Sequence, residues 1–492
     1  MSKESRKKYL LKNTLIFSIG NFGSKIITFL LVPLYTNILT TSQYGTIDLM
    51  TVLTTVIAPI ITLNISEAIM RYLMDRSDNK NDVLNISLIF CLISLFISFL
   101  LLPLFNLFKI TCNYSSFLSL YLFSFCISNI LLCYMRGIEK LVEYSVINII
   151  QTLTIAILNI LFLIEFKMGI QGYILAYAIA YFLSSILCVF FGKIYSEHKY
   201  CKINKKLLVN MLKYSSLLIP NALMWWIMNS LDKVMITLMI NIESNGIYAV
   251  SYKIPTILMT LTSIFNQAWM ISAVKEKDSV DKDEYTNRIF DYLSTIIIIT
   301  ASFLIVILKP LMKIYVGDDF YSSWLYAPPL LLGTVFLTMG TFLSNEYTAH
   351  KDSAGFFKSS TFGAAINLIL NLILIKNCGV IGAAIATCVS YLSVLIFRMF
   401  DTKKYTKIEY KNAKNCINLS GLLLISIFIY FDEIFYKIFC VSIFLLLTPA
   451  SINNFVFSVS TNKLFPLLPL YKLQKLNILY SSFYFFCFYK YI

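Results

Sequence analysis

Charge is scarce in this chain, histidine scarcer still, and cysteine never comes in pairs at ligand spacing. Charged residues make up 14% of the 492, against about 25% in soluble domains, which excludes an ordinary soluble enzyme and a charged disordered chain. Glycine (16) and proline (11) are too few for a collagen or a low-complexity chain. His198 and His350 are the only histidines, so neither a histidine-based triad nor a His-rich metal site can be assembled. The 11 cysteines are scattered singly, with Cys126, Cys188 and Cys388 inside apolar runs. They read as small packing residues, not as disulfides or metal ligands. No G-x-x-x-x-G-K-[ST] sequence is present, so ATP cannot drive the chain directly. Asp281-Lys282-Asp283 has the D-x-D spacing of a metal-nucleotide motif, but its short mixed-charge loop reads as solvated. No cofactor, no metal and no enzymatic activity is expected.

What the chain has is hydrophobic length. Apolar residues are 58% of the total, and they come in runs of about 20, enough to cross roughly 30 Å of hydrocarbon as a helix. The runs predict an all-α integral membrane protein of about 14 transmembrane helices. The expected spans are 13–36, 44–70, 84–108, 114–134, 143–165, 170–192, 208–239, 246–272, 288–312, 325–349, 355–375, 379–400, 414–431 and 433–451. The first is a retained helix, since its apolar stretch is too long for a signal peptide and lacks a small-residue cleavage site.

The net charge of +15 would suggest nucleic acid for a soluble chain. Here its distribution is the informative part, and no nucleic-acid partner is expected. Of the 41 Lys and Arg, 32 lie in or beside the N-terminus, the tail and every second loop. Six lie on the opposite side, and Lys25, Lys233 and Lys253 fall inside spans. That alternation follows the positive-inside rule and predicts a multi-pass protein of the inner or plasma membrane with both termini cytoplasmic. No loop is long enough to fold alone.

Two stretches recur about 201 to 212 residues apart. Lys12-Asn13-Thr14 leads to Gln43-Tyr44-Gly45-Thr46, and Lys213-Tyr214-Ser215 leads to Asn245-Gly246-Ile247-Tyr248. Further on, Gly169-Ile170-Gln171-Gly172 has its counterpart in Gly379-Val380-Ile381-Gly382. Each repeat holds six spans, an even number, so the two are parallel. Transporters built this way bind substrate between the repeats and rock one against the other. The expected organisation is a six-helix lobe at 1–200, a second at 201–411, two further helices at 412–451 and an unassigned tail at 452–492.

Several of these residues carry a family likeness. Gln43-Tyr44-Gly45-Thr46 resembles a turn of bacterial polysaccharide exporters, as do Glu67…Arg71-Tyr72, Arg136-Gly137-Ile138-Glu139-Lys140 and Gly169…Gly172. Pro220-Asn221, Asp232-Lys233 and Gly246-Ile247-Tyr248-Ala249-Val250-Ser251-Tyr252-Lys253 add to it. Over about residues 8–410 the chain resembles the O-antigen and capsule repeat-unit flippases of the MOP (multidrug/oligosaccharidyl-lipid/polysaccharide) exporter superfamily. The resemblance implies two six-helix lobes around a central cavity. It also implies, as partner and substrate, an undecaprenyl-pyrophosphate-linked oligosaccharide moved to the outer leaflet by alternating access. Other polysaccharide-assembly proteins and the lipid bilayer complete the expected partners.

The intramembrane charges suit that substrate. An ionisable residue within a span costs at least about 2.5–3.5 kcal/mol on insertion scales and normally faces a cavity or a partner. Lys25, Lys253 and Lys233 are the candidate substrate-binding cations, with Lys233 alternatively paired to its neighbour Asp232. Lys supplies a point charge that can follow a moving phosphate. Arg136, Lys140 and Arg71 are candidates for a cytoplasmic entrance. Asp48, Glu67, Asp232 and Glu346 are candidate gating or ion-coupling acids, Glu67 also forming an i,i+4 pair with Arg71, and Glu346 with His350. Trp225, Trp226 and Trp269 could stack on sugars or simply pack. Two other functions compete: a cation-coupled antiporter of small molecules, which would favour acids in the lobes, and a glycan polymerase or ligase, which would need a sizeable external loop.

Overall fold

The structure, a computed structural model, describes residues 23–74, 80–108, 110–197, 204–276, 279–407, 413–431 and 444. All regular structure among them is helical. Residues 23–30 form α1, followed by α2 (Val32–Ile38), α3 (Thr41–Ile61), α4 (Ile65–Met74), α5 (Lys80–Leu100), α6 (Leu102–Leu107) and α7 (Ser115–Gly137). Next come α8 (Leu141–Ile160), extended by a π-helical turn at Leu161–Glu165, then α9 (Gly169–Gly192), α10 (Ile194–Glu197), α11 (Lys205–Ser216), α12 (Ile219–Met239) and α13 (Ile242–Ser251). The rest are α14 (Lys253–Glu276), α15 (Lys282–Val306), α16 (Leu308–Tyr315), α17 (Ala327–Ala349), α18 (Ser353–Cys378), α19 (Val380–Asp401) and α20 (Ala413–Phe428).

Eleven helical stretches among the described residues are long and apolar enough to cross a membrane, and they fall on the second to twelfth expected spans. The count of 14 is not reached. Residues 13–22 of the first expected span, nearly all of 433–451, and the tail lie outside the described residues. The 16-residue α20 is shorter than a crossing.

Several expected spans are broken. Pro33, Pro103 and Pro220 each sit in the first turn of the helix after a break, where a missing N–H costs nothing. The second span ends at Ile61, because Leu63 and Asn64 take left-handed backbone angles (φ 50° and 53°) and α4 starts afresh. Glu67 and Arg71 therefore stand on a separate helix.

The chain divides into two compact units, residues 1–283 with 307–408, and residues 284–306 with 409–492. In the first, α17 is the most enclosed helix, with 89% of its apolar window buried, as befits a helix apolar on every side. By contrast α5 buries 28% of its window and exposes Leu92, Phe96 and Leu100, a surface suited to lipid. α17 packs with α14 and α19, α18 with α12 and α19, and α9 with α7 and α8.

α3 crosses α13 at a contact between backbones. A side chain at Gly45 would collide with the carbonyl of Ile242, and one at Gly246 with the carbonyl of Thr41. The two collisions are reciprocal, each pair being related by 201 positions. Asn245 Nδ2 donates to the Gly45 carbonyl at 3.1 Å across the same crossing. Gly169 and Gly379, which open α9 and α19, both have positive φ (55° and 66°).

Candidate functional site

The three intramembrane lysines lie close together. Lys233, on α12, donates from Nζ to Asp48 Oδ1 of α3 at 2.9 Å and stands 5.3 Å from the Tyr252 ring centroid. Lys253, the first residue of α14, lies 6.0 Å from the ring of Tyr44. Lys25, exposed on α1, is near enough to Lys253 for their like charges to repel. No carboxylate lies within ion-pair distance of Lys25 among the described residues.

Lys233 does not pair with the Asp232 side chain. Neighbouring residues on a helix point about 100° apart, so their side chains cannot face one partner from the same side. Asp232 turns inward instead and is 1% exposed. Its Oδ2 accepts from Tyr248 OH at 2.7 Å, Tyr252 OH at 2.8 Å and Thr387 Oγ1 at 3.2 Å, while Oδ1 accepts from the Lys233 backbone N–H at 2.9 Å. Asn367 donates to Thr387 at 3.5 Å and Asn371 to Asn367 at 3.0 Å, extending this polar core along α18.

Aromatic rings adjoin the lysines. Tyr173, Tyr177 and Tyr181 rise at i, i+4 and i+8 on α9. The first two stack with centroids 4.7 Å apart, and Tyr177 to Tyr181 is 6.4 Å. Tyr35 meets Tyr173 edge-on at 5.1 Å, and Tyr121 meets Tyr177 at 6.1 Å. Lys253 is within electrostatic reach of Tyr177. The regular spacing of Tyr173, Tyr177 and Tyr181 was visible in the sequence; that it leads toward the lysines was not.

The cationic residues expected at a cytoplasmic entrance separate into different roles. Arg136 lies 5.8 Å from the Tyr144 ring and lines a small cavity. Lys140 donates to the Phe191 carbonyl at 2.8 Å, where a cation complements the C-terminal end of α9. Arg71 and Glu67 are exposed on α4. Trp269 stacks on Phe342 at 4.5 Å with both rings buried, and Trp226 Nε1 donates to the Val52 carbonyl at 3.2 Å.

Glu346 has a partner the sequence concealed. Its side chain, 2% exposed, pairs with Lys282 at 3.0 Å and accepts from Thr406 Oγ1 at 2.7 Å. His350 stays 3.8 Å from that carboxylate and bonds through Nδ1 to the Glu346 backbone oxygen at 2.9 Å. Lys282 is thus buried, not solvated: a loop position next to two acids is carried onto a helix start, where its ammonium meets the Glu346 carboxylate.

Nearby, Asp352 caps α18. It accepts from the Gly355 N–H at 2.8 Å, Lys404 Nζ at 3.0 Å and Tyr405 OH at 2.8 Å, which together hold its carboxyl down to about 2 from the usual 3.8. A folded-state value below the unfolded one means that this contribution is complete above the unfolded value and is lost as pH falls through about 2. Asp352→Asn should therefore lower the thermal midpoint of the purified protein by the same amount at about pH 5 and about pH 9. A penalty that disappears at the lower pH would contradict the assignment.

With this geometry in view, the comparisons decide the family. The polysaccharide biosynthesis protein family matches residues 10–270, more than half the chain. The chain belongs to this family. A search among curated proteins returned no match. Among solved structures, the lipid II flippase MurJ in an inward closed conformation is similar with a TM-score of 0.71 at 17% identity, covering 90% of this chain and 99% of the other. A MATE transporter of Vibrio cholerae is similar at 0.55 and 14% identity, covering 82% and 97%. A MOP superfamily transporter from Pyrococcus furiosus gives 0.57 and 13%, covering 84% and 96%. At these identities the likeness is one of fold. This polysaccharide biosynthesis protein is thus a multi-pass membrane protein with the fold of MOP transporters.

Proposed function

We propose that the protein is a flippase for undecaprenyl-pyrophosphate-linked oligosaccharide repeat units of O-antigen, capsule or a related envelope glycan. It would carry them across the inner or plasma membrane by alternating access between lobes at 1–200 and 201–411, with both termini in the cytoplasm. The observation that carries this proposal is the gathering of Lys25, Lys233 and Lys253 beside tyrosine rings with one paired acid, Asp48. That leaves a positive surplus for a pyrophosphate and aromatic faces for sugars. Asp232, enclosed in its polar core, is the acid best placed to couple an ion to the cycle.

The same Asp232 gives a cation-coupled antiporter of small molecules its support, so the test must separate the two. Deleting the gene should leave lipid-linked repeat units on the cytoplasmic leaflet, accessible only after the cells are opened. Unchanged repeat-unit orientation together with drug hypersensitivity would favour the antiporter.

A further inference from the structure

The small cavity beside Arg136 is built, not left over. Its walls are Ser128, Asn129 and Arg136 from α7, Asn148 and Gln151 from α8, and Tyr181 from α9. On α8 the residues Tyr144, Asn148 and Gln151 fall at i, i+4 and i+7, a polar stripe along one face of the helix. The volume is about 220 Å³, below the roughly 300–1,000 Å³ of drug-sized sites. One monosaccharide suits the space.

Its chemistry narrows the occupant further. Gln151 is 8% exposed, and its Oε1 has no hydrogen-bond partner among the described residues. A buried amide oxygen without a donor is costly, and a hydroxyl supplies one. Arg136 is the one charged residue of the lining. Tyr181, at the inner end of the tyrosine series, brings an aromatic face, with Phe125 meeting it edge-on at 5.3 Å. The cavity also touches the lysine cluster through the chain: Ser24, next to Lys25, donates to the Asn148 carbonyl at 3.4 Å.

We infer that this cavity is a saccharide subsite, in which the Gln151 carbonyl accepts a sugar hydroxyl and Tyr181 offers a ring face. The inference rests on the flippase proposal and names where one sugar of the headgroup would sit. Gln151 would be a binding residue, and its substitution should cost transport without costing stability.

The test uses the full chain in proteoliposomes and follows the flipping of lipid-linked repeat units, with glucose 1-phosphate, N-acetylglucosamine 1-phosphate and inorganic phosphate as competitors. Gln151→Met keeps the side-chain length and removes the carbonyl, so the flipping rate should fall about tenfold, the worth of one lost hydrogen bond. The thermal midpoint should hold or rise, because an unsatisfied buried group has gone. Leu132 of α7 also lines the cavity, and Leu132→Phe, which fills it, should likewise slow flipping. A sugar phosphate should compete better than inorganic phosphate. Wild-type flipping by both variants, a midpoint that falls together with the rate in Gln151→Met, or equal competition by inorganic phosphate would each overturn the subsite. A wild-type protein that flips no lipid-linked glycan would instead overturn the flippase proposal itself.

Discussion

Lys233→Ala should strip the protein from the membrane, and adding Asp48→Asn should bring it back. The two side chains are 14% and 11% exposed and meet at 2.9 Å. Asp48 Oδ2 already lacks a hydrogen-bond partner among the described residues, so Lys233 is its principal compensation. Removing one member of a buried pair leaves an uncompensated charge, at about 3–5 kcal/mol, a large part of the roughly 5–15 kcal/mol that holds a folded protein together. The single variant should be nearly absent from membrane blots, whereas the double variant, with no stranded charge, should recover abundance. Recovered abundance without recovered export would show that the Lys233 charge has a second use, at the substrate. Normal abundance of Lys233→Ala alone would mean that the pair contributes little.

Lys25→Ala should give the opposite pattern, with export lost and abundance kept. Lys25 has no carboxylate in ion-pair range among the described residues, and Asp48 is held by Lys233. Removing it strands nothing and relieves the repulsion from Lys253. If it meets the pyrophosphate, losing one charge-assisted contact of about 1.5–3 kcal/mol should slow export roughly 10- to 100-fold. Arg at this position should retain part of the activity, since charge matters more than shape for a moving phosphate. Surface glycan measured against blotted protein checks both outcomes. Wild-type export by Lys25→Ala at wild-type abundance would remove Lys25 from the substrate path.

Eleven of the spans were legible in the sequence because one physical requirement, about 20 apolar residues in a row, marks a membrane crossing locally. The break at Thr62–Asn64 was not, since nothing in Thr62-Leu63-Asn64 carries the glycine or proline that usually marks one. Pairing was harder still. Lys233 finds Asp48 across 185 positions, a distance that no periodicity encodes. The helical angle alone, however, rules out a side-chain pair between Asp232 and Lys233. Lys282 misled through its neighbours: Asp281 and Asp283 make the loop look wet, while the chain turns the lysine inward to Glu346. Within the candidate site, residue type was readable where spacing is regular, as in Tyr173-Tyr177-Tyr181 and Tyr144-Asn148-Gln151. The closeness of Lys25 to Lys253 needed three dimensions.

The crossing of α3 and α13 ties the fates of two distant codons. Gly45 and Gly246 each face a carbonyl of the opposite helix, and both are already the smallest residue there is. A side chain gained at one cannot be absorbed by shrinking the other, because nothing remains to shrink. Whatever drift separates the first repeat from the second elsewhere, at this point neither copy can wander alone.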